Sequence, residues 1–169
     1  GIGGFGAIGM NVGRTLDAGD ILGMYLAAVS ANDQSGAAAR MADYAKQAPV
    51  MELSALADHS DVVIECAPAA VFRDVAEAAV EKGRIFMPLS CGQMLNHMDL
   101  VDRAKETGAR IVVPTGALLG LDAVRGAAEG EIESVTMVTR KPPSGLEGAP
   151  HLVENNIDVR DLSEALLVF

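Results

Sequence analysis

Three glycines near the start of the chain have a spacing that can bind a phosphate group. Gly4, Gly6 and Gly9 form a G-x-G-x-x-G motif, and apolar residues at helical spacing follow it. In such a turn the first glycine permits a tight bend, the second lets the backbone approach a pyrophosphate, and the third lets helix and strand pack closely. The free N–H groups of the following helix then point at the phosphates. We predict a dinucleotide site formed by Gly4, Gly6, Ala7, Ile8 and Gly9.

The residue that would bind the adenosine ribose of a dinucleotide is less clear. An acidic side chain is expected at the end of the second strand, about 20 residues after the glycines. Ser30 ends that apolar run, and Asp33 follows three residues later. Either Asp33 reaches the ribose hydroxyls, or a neutral edge of Ser30 and Asn32 tolerates a 2′-phosphate. An ordinary helix cap before residues 35–47 is a further interpretation of Asp33, so the sequence leaves NAD and NADP both open, with NAD as the default.

Small residues follow three further apolar runs, at residues 65–68, 89–92 and 114–117. Ligands of open α/β sheets bind outside the carboxyl ends of the strands, and small side chains there let a flat nicotinamide riboside approach the backbone. Cys66 and Cys91 lie in two of these segments. A nucleophilic thiol would need a nearby base, and no His or Lys is close to either cysteine in the sequence. We therefore interpret both as free, packed thiols of a reducing compartment.

The elements that must position these residues alternate between strand-like and helical patterns. Strands are predicted at the apolar runs Met24–Ser30, Asp61–Glu65, Arg84–Leu89 and Arg110–Val113. Residues 70–82 carry an apolar stripe at four-residue steps and end before Gly83, and Asp99 could cap a second helix that stops at Gly108. This alternation predicts an α/β fold, a doubly wound parallel sheet of the Rossmann type.

The pattern changes in the last third of the chain. Ile132–Thr139 alternates like a half-exposed strand, and a Pro- and Gly-rich loop follows it. We predict a nucleotide-binding domain over residues 1–120 and the beginning of a second domain over residues 121–169. The chain opens without Met and stops inside an apolar run, so we expect it to be part of a longer protein.

Composition narrows the function classes. Thirteen Lys and Arg against 23 Asp and Glu give a net charge of −10, which argues against nucleic acid as a partner. The sequence shows no apolar run of membrane-spanning length, no export signal and no cluster with zinc-ligand spacing. We expect a cytoplasmic protein that binds neither membrane nor metal.

Charged residues in the last third could bind a substrate. Arg140 and Lys141 follow a predicted strand, and two adjacent cations could neutralise a carboxylate, although solvated loop charges are the alternative. His59 and His97 are predicted to be surface or capping residues. His151 lies in the second predicted domain, where a substrate role is one interpretation.

Four segments together resemble a known family. They are residues 1–9, Val63-Ile-Glu-Cys-Ala-Pro68, Val113-Pro-Thr-Gly-Ala-Leu-Leu-Gly-Leu-Asp122 and Thr139-Arg-Lys-Pro-Pro143. The glycine loop is common to Rossmann proteins, whereas the second pair of segments is much more specific. On these motifs the chain resembles the L-aspartate dehydrogenases over nearly its whole length.

The resemblance implies an NAD- or NADP-dependent enzyme in which residues 121–169 are the beginning of an α+β catalytic domain. It would oxidise L-aspartate to iminosuccinate, or aminate oxaloacetate with ammonia in the reverse direction. The resemblance also implies that the enzyme is a homodimer and that in some organisms it supplies pyridine nucleotide biosynthesis. It also implies that Cys66, Ala67, Ser90 and Ala117 line the nicotinamide side. The catalytic His of the family would lie beyond Phe169, so no catalytic residue is assigned within this chain.

Other classes remain as alternatives. One is another two-domain dehydrogenase, of the homoserine dehydrogenase or dihydrodipicolinate reductase type. The sugar oxidoreductases are disfavoured because their Glu-Lys-Pro at the fifth strand end is replaced here by Met87-Pro-Leu-Ser90. A dinucleotide-binding module without turnover is the non-enzymatic alternative.

Overall fold

The computed structural model describes residues 1–116 and 120–168. The chain divides into two compact units, Gly1–Leu119 and Gly120–Phe169. The first contains a sheet with flanking helices, and the second contains two short helices and irregular segments. Nowhere in the described ranges is there a helix long and apolar enough to cross a membrane.

The first unit is built on a six-stranded sheet whose strands are all parallel, in the order β3-β2-β1-β4-β5-β6. This order is that of a doubly wound sheet, as the sequence predicts. The strands are β1 (Ile2–Gly3), β2 (Val29–Ser30), β3 (Val50–Met51), β4 (Val62–Glu65), β5 (Ile85–Pro88) and β6 (Arg110–Ile111).

Helices connect successive strands of the first unit. They are α1 (Ala7–Asp17), α2 (Gln34–Arg40), α3 (Phe72–Glu81) and α4 (Asp99–Thr107). Short 3₁₀ turns at Leu53–Asp58, Ala69–Val71 and Cys91–Asn96 complete the connections. The stripe over residues 70–82 thus forms one 3₁₀ turn followed by α3, which buries five residues of its apolar face.

The strand register brings four strand ends to one edge of the sheet. Gly3 pairs with Ser30 on one side and with Glu65 on the other, and Glu65 in turn pairs with Pro88. The strand order changes direction between β1 and β4. β2 and β3 are added on one side of β1, whereas β4, β5 and β6 are added on its other side. In open α/β sheets a ligand cleft forms at this switch point, outside the carboxyl ends of the strands.

Two apolar clusters anchor the helices to the sheet. One joins Ile2 and Val29 to residues of α1 and α2, and includes Phe5. The other contains α3 residues, with Phe72 and Phe86 in edge-to-face contact at 5.8 Å between ring centroids. Both rings are fully buried, so this pair fixes α3 against β5.

The second strand is much shorter than Met24–Ser30. Only Val29 and Ser30 form β2. They pair with the two residues of β1, and the strand cannot be longer than the neighbouring strand to which it is hydrogen-bonded. β3 at Val50–Met51 was absent from the sequence prediction. Such a short apolar pair is recognised as a strand only through its pairing with β2.

The helix after Asp33 is also shorter than residues 35–47. It ends at Arg40, and the following segment forms turns. The Asp17 carboxylate accepts hydrogen bonds from the backbone N–H groups of Ala45 and Lys46, at 2.9 and 3.1 Å. The Asp17 carboxylate thus replaces the carbonyl oxygens that would accept these two N–H groups if the helix continued.

Both ends of α4 depend on individual residues. Asp99 is the first helical residue rather than the cap, and its side chain pairs with Arg73 of α3 at 2.9 Å, so the predicted capping role is wrong. Gly108 ends the helix in the left-handed region, at φ 77°. That conformation is accessible to glycine without the penalty a Cβ brings.

We expect Gly108→Ala to lower the free energy of unfolding by about 1 kcal/mol. A Cβ at this position has open space around it, so the cost is confined to the backbone conformation. Urea denaturation measures the change. Gly126→Ala is the control, since Gly126 lies inside a right-handed helix where alanine is favoured. Equal stability of Gly108→Ala and the parent would contradict the prediction.

The second unit contains α5 (Leu121–Ala127) and α6 (Pro150–Glu154), with a 3₁₀ turn at Pro143–Gly145 between them. The predicted strand Ile132–Thr139 is wrong: these residues are irregular and mostly exposed. A strand needs a neighbour to accept its hydrogen bonds, and among residues 120–168 the structure contains no second strand to pair with it.

Candidate functional site

The glycine loop connects β1 to α1 through a sharp bend at Gly4. Its φ is +99°, and its N–H donates to the carbonyl oxygen of Ser30 at 2.9 Å. A Cβ on Gly4 would lie 2.5 Å from the carbonyl oxygen of Cys66. The first glycine is therefore required by both the backbone conformation and the close approach of β4.

The other two glycines of the motif have different surroundings. A Cβ on Gly9 would collide with the carbonyl oxygen of Gly4, so this glycine lets the helix pack onto the loop. A Cβ on Gly6 would meet no protein atom within 4 Å. Gly6 therefore faces open space, where the motif places the pyrophosphate of a dinucleotide.

The N-terminus of α1 has the properties of an anion site. Gly6 is its N-cap, no side chain caps it, and the first turn contains no acidic residue. The first N–H groups of a helix have no intrahelical acceptor, and the helix dipole favours negative charge beside them. These are the N–H groups of Gly6, Ala7, Ile8 and Gly9, and their binding of a phosphate stays a prediction.

A cleft of about 390 Å³ opens beside this loop. Its volume is within the range of small-molecule sites. Its walls come from the glycine loop, the segment after β2, the end of α2 and the segment after β4. They comprise Gly4, Phe5, Gly6, Ala31, Asn32, Asp33, Arg40, Cys66, Ala67 and Pro68. The open face of Gly6 and the uncapped helix end fit a dinucleotide pyrophosphate.

Asp33 forms one wall of the cleft and also caps α2. Its carboxylate accepts the N–H of Gly36 at 2.9 Å and the hydroxyl of Ser35 at 3.2 Å. These hydrogen bonds, the Gly36 bond foremost, together with the nearby Arg40 guanidinium hold the pKa of Asp33 below its usual value. Asp33 is therefore ionised at neutral pH, and the two interpretations of this residue, helix cap and ribose acid, are compatible.

The segment after β4 forms the opposite wall, through Cys66 and Ala67. Desolvation by burial, with a contribution from the neighbouring Glu65, raises the pKa of the Cys66 thiol to about 12. A thiol with so high a pKa is a poor nucleophile near neutral pH. This supports the interpretation of Cys66 as a packed residue.

We expect alkylation of Cys66 by iodoacetamide to be slow at pH 8 and to be still accelerating with pH at pH 10. The raised pKa postpones thiolate formation, whereas an ordinary thiol, with a pKa of about 8.5, is fully reactive by about pH 10. Mass spectrometry of a Cys91→Ser variant isolates the rate at Cys66, and the same variant unfolded in urea is the control. A folded-state rate that levels off below pH 10 would contradict the prediction.

Behind this wall lies a fully buried carboxyl group, that of Glu65 at the end of β4. Its Oε1 accepts the N–H of Ala67 at 2.9 Å and the hydroxyl of Ser90 at 3.2 Å, and its Oε2 accepts the N–H of Ser90 at 2.9 Å. One side chain therefore connects the segments that follow β4 and β5. The connection fixes the position of Ala67, which lines the cleft.

The remaining predicted cofactor residues are distributed as follows. Ala7 and Ile8 are exposed in the first turn of α1, and Ser90 is half-buried beside Glu65 rather than among the residues that line the cleft. Cys91 donates its thiol to the carbonyl oxygens of Pro88 at 3.3 Å and Pro114 at 3.7 Å. Ala117 lies outside the described residues.

Substrate candidates of the second unit lie in exposed or locally bonded positions. Arg140 and Lys141 are exposed in an irregular segment, and their substrate role stays a prediction. A ring nitrogen of His151 lies 3.1 Å from the carbonyl oxygen of Val168 within the same unit. In the first unit, His97 stacks on Phe72 at 5.4 Å between ring centroids.

Sequence reasoning missed Arg40 and Glu65. Arg40 lies seven residues after Asp33, a spacing that puts both on one side of a helix, and this spacing was the available signal. Glu65 is the charged residue at the end of the apolar strand Val62–Glu65, and a charge in a buried strand is itself unusual.

The fold, the glycine loop and the cleft define a dinucleotide-binding domain of the Rossmann type. A family model described as "Homoserine dehydrogenase, NAD binding domain" matches residues 4–114. A second model, "Aspartate dehydrogenase, C-terminal", matches residues 122–169.

Curated relatives agree with both models. The chain is 44% identical over 168 residues to L-aspartate dehydrogenase 3 of Bordetella bronchiseptica, with 99% of this chain and 62% of the relative covered. It is 38% identical over 173 residues to an L-aspartate dehydrogenase of Methanocella arvoryzae, covering 100% of this chain and 63% of the relative. The chain therefore belongs to the family of NAD-binding domains that the first model describes. It is a relative of the L-aspartate dehydrogenases along its whole length and spans about three fifths of the length of these relatives.

Solved structures support the fold alone. The WlbA dehydrogenase from Bordetella pertussis, in complex with NADH and UDP-GlcNAcA, superposes with a TM-score of 0.55 at 21% identity, over 76% of this chain and 41% of that one. The curated relatives confirm the resemblance to the L-aspartate dehydrogenases, and they do not favour the alternative dehydrogenase types. The family model and the relatives support NAD(P) as the cofactor.

Proposed function

We propose that this chain is the cofactor-binding part, with the start of the catalytic part, of an NAD(P)-dependent L-aspartate dehydrogenase. The reaction removes a hydride from C2 of L-aspartate, and water then releases ammonia from the resulting iminosuccinate to give oxaloacetate. When bound, NAD(P)⁺ supplies the hydride acceptor, C4 of its nicotinamide. The observation that carries the proposal is the anion cleft at Gly6, in a chain related to L-aspartate dehydrogenases from end to end.

The residues of the first unit would bind and orient the dinucleotide. The glycine loop and the N-terminus of α1 bind the pyrophosphate, and the wall formed by Asp33 binds the adenosine ribose. Cys66 and Ala67 leave space for the nicotinamide riboside along the end of β4, while Ser90 acts with Glu65 to position that segment.

The chemistry at the substrate needs further groups. Two carboxylates must be neutralised, and Arg140 and Lys141 are our candidates for that role in the second unit. A general acid–base must handle the proton of the amine and of the attacking water. We propose that this group is the family's histidine, outside this chain, and that the active form is a cytoplasmic homodimer.

The test compares binding with turnover. The 169-residue chain is titrated with NAD⁺ and NADP⁺ by calorimetry, and a protein of the relatives' length is assayed with L-aspartate at alkaline pH by absorbance of the reduced nicotinamide. We expect binding in the first measurement and aspartate-dependent reduction in the second. Binding without reduction for any amino acid would favour the non-catalytic module, and reduction with another substrate only would overturn the choice of L-aspartate.

A further inference from the structure

An aspartate and an arginine lie together at the ribose wall of the cleft. The Arg40 guanidinium is 3.7 Å from the Asp33 carboxylate, and its Nη1 donates to the carbonyl oxygen of Phe5 at 3.3 Å. Both side chains line the cleft, and each is about half exposed, at 59% for Asp33 and 41% for Arg40. The arginine therefore connects the glycine loop to the residue expected to bind the ribose.

Asp33 and Arg40 differ in how firmly other hydrogen bonds hold each side chain. Asp33 has close hydrogen bonds from Gly36 and Ser35, which hold it in place as the cap of α2. Among residues 1–116 and 120–168, the guanidinium of Arg40 has one hydrogen bond, at the long end of the range, and one loose ion pair. A guanidinium carries five N–H donors, so Arg40 can donate to a further oxyanion in the cleft.

The oxyanion that a dinucleotide can bring to this wall is the 2′-phosphate of its adenosine ribose. In doubly wound dinucleotide sites, an acid at the end of the second strand accepts from the ribose 2′-hydroxyl, and a nearby arginine accommodates a 2′-phosphate. Asp33 alone would repel that phosphate because both are anionic. Arg40 offsets the repulsion, and its bond to Phe5 keeps it at the cleft in either case.

We propose that Arg40 is the residue that lets this site accept adenine dinucleotides with a 2′-phosphate, while the adjacent Asp33 retains those without one. Arg40 pairs with Asp33 when the ribose carries a free hydroxyl, and it turns to the 2′-phosphate when one is present. The site then binds both NAD⁺ and NADP⁺, and the Asp33–Arg40 pair sets the ratio of the two affinities. This inference rests on the proposed function, since it concerns the same cleft.

Calorimetric titration of the chain with NAD⁺ and NADP⁺ tests the proposal, with 5′-AMP and adenosine 2′,5′-bisphosphate as the adenosine-end probes. We expect Arg40→Ala to raise the ratio of Kd for NADP⁺ to Kd for NAD⁺ at least tenfold. We expect Asp33→Asn to lower that ratio at least threefold, because asparagine still caps α2 but does not repel the phosphate. Arg14→Ala is the matched control, since Arg14 is exposed on α1 and does not line the cleft.

The outcomes separate the two proposals. A ratio that Arg40→Ala leaves unchanged, or a parent chain that binds NAD⁺ and rejects NADP⁺, would overturn the role of Arg40 while the proposed function stands. Failure of the parent chain to bind any of the four ligands, with circular dichroism showing it folded, would overturn both. Higher salt should weaken NADP⁺ binding more than NAD⁺ binding in the parent, and this difference should disappear in Arg40→Ala.

Discussion

Gly6→Ala is expected to abolish most dinucleotide binding while leaving the fold intact. The backbone of Gly6, at φ −85° and ψ −157°, is accessible to alanine, and no protein atom lies within 4 Å of the added Cβ. The new methyl group would instead occupy the space where the pyrophosphate approaches the backbone. We expect Kd for NAD⁺ to rise at least about tenfold for alanine and about 100-fold for valine, which corresponds to roughly 1.4 and 2.7 kcal/mol.

Two matched variants make this result specific. Gly126→Ala in α5 has the same open surroundings outside the cleft, and its Kd should equal that of the parent. Gly9→Ala should lose stability as well as binding, because its Cβ collides with the carbonyl oxygen of Gly4. Calorimetry gives Kd, and thermal unfolding gives stability. A Gly6→Ala protein that binds NAD⁺ as the parent does would show that the pyrophosphate does not lie against this loop.

The parts of the site that the sequence predicts are those made by local chain geometry. The glycine spacing specifies a bend, an open backbone and a close helix contact within six residues, and the structure assigns these to Gly4, Gly6 and Gly9. The doubly wound sheet is predictable for a related reason. Apolar strands alternating with amphipathic helices can bury both faces of a parallel sheet in few ways.

The features that sequence reasoning missed depend on tertiary pairing. β3 is two residues long and exists through its ladder with β2, while Ile132–Thr139 has the alternation of a strand without a described partner. Arg40 reaches the cleft because α2 ends there, and the turns that follow α2 accept support from the Asp17 carboxylate, which lies far away in the sequence. Local pattern carries little information about any of these contacts.

Glu65→Ala is expected to have the largest effect on stability. The side chain is fully buried, and its two oxygens accept the backbone N–H groups of Ala67 and Ser90. Alanine would leave both N–H groups without an acceptor and open a small cavity beside the sheet. A donor left unpaired in the interior costs about 1–3 kcal/mol, so we expect the free energy of unfolding to fall by about 3 kcal/mol or more.

Glu65→Gln separates hydrogen bonding from packing at the same position. The amide keeps the shape and one acceptor oxygen but turns an NH₂ group towards the other backbone donor. We expect a loss between that of alanine and zero, about 1–2 kcal/mol. Urea midpoints measure both variants, and Glu77→Ala, an exposed residue of α3, is the control that should leave the midpoint almost unchanged.

Substitution of Glu65 should weaken NAD⁺ binding as well as stability, because Glu65 holds a segment that lines the cleft. Ala67 lines the cleft, and its N–H is held by the same carboxyl group that holds Ser90 of the next segment. Glu65→Gln, where enough stability remains to measure the folded chain, should therefore weaken NAD⁺ by several-fold without touching the pyrophosphate loop. Its effect on 5′-AMP should be smaller, because that ligand lacks the nicotinamide half that the end of β4 would line. Equal weakening of both ligands would mean that Glu65 acts on the fold alone and does not position the nicotinamide wall.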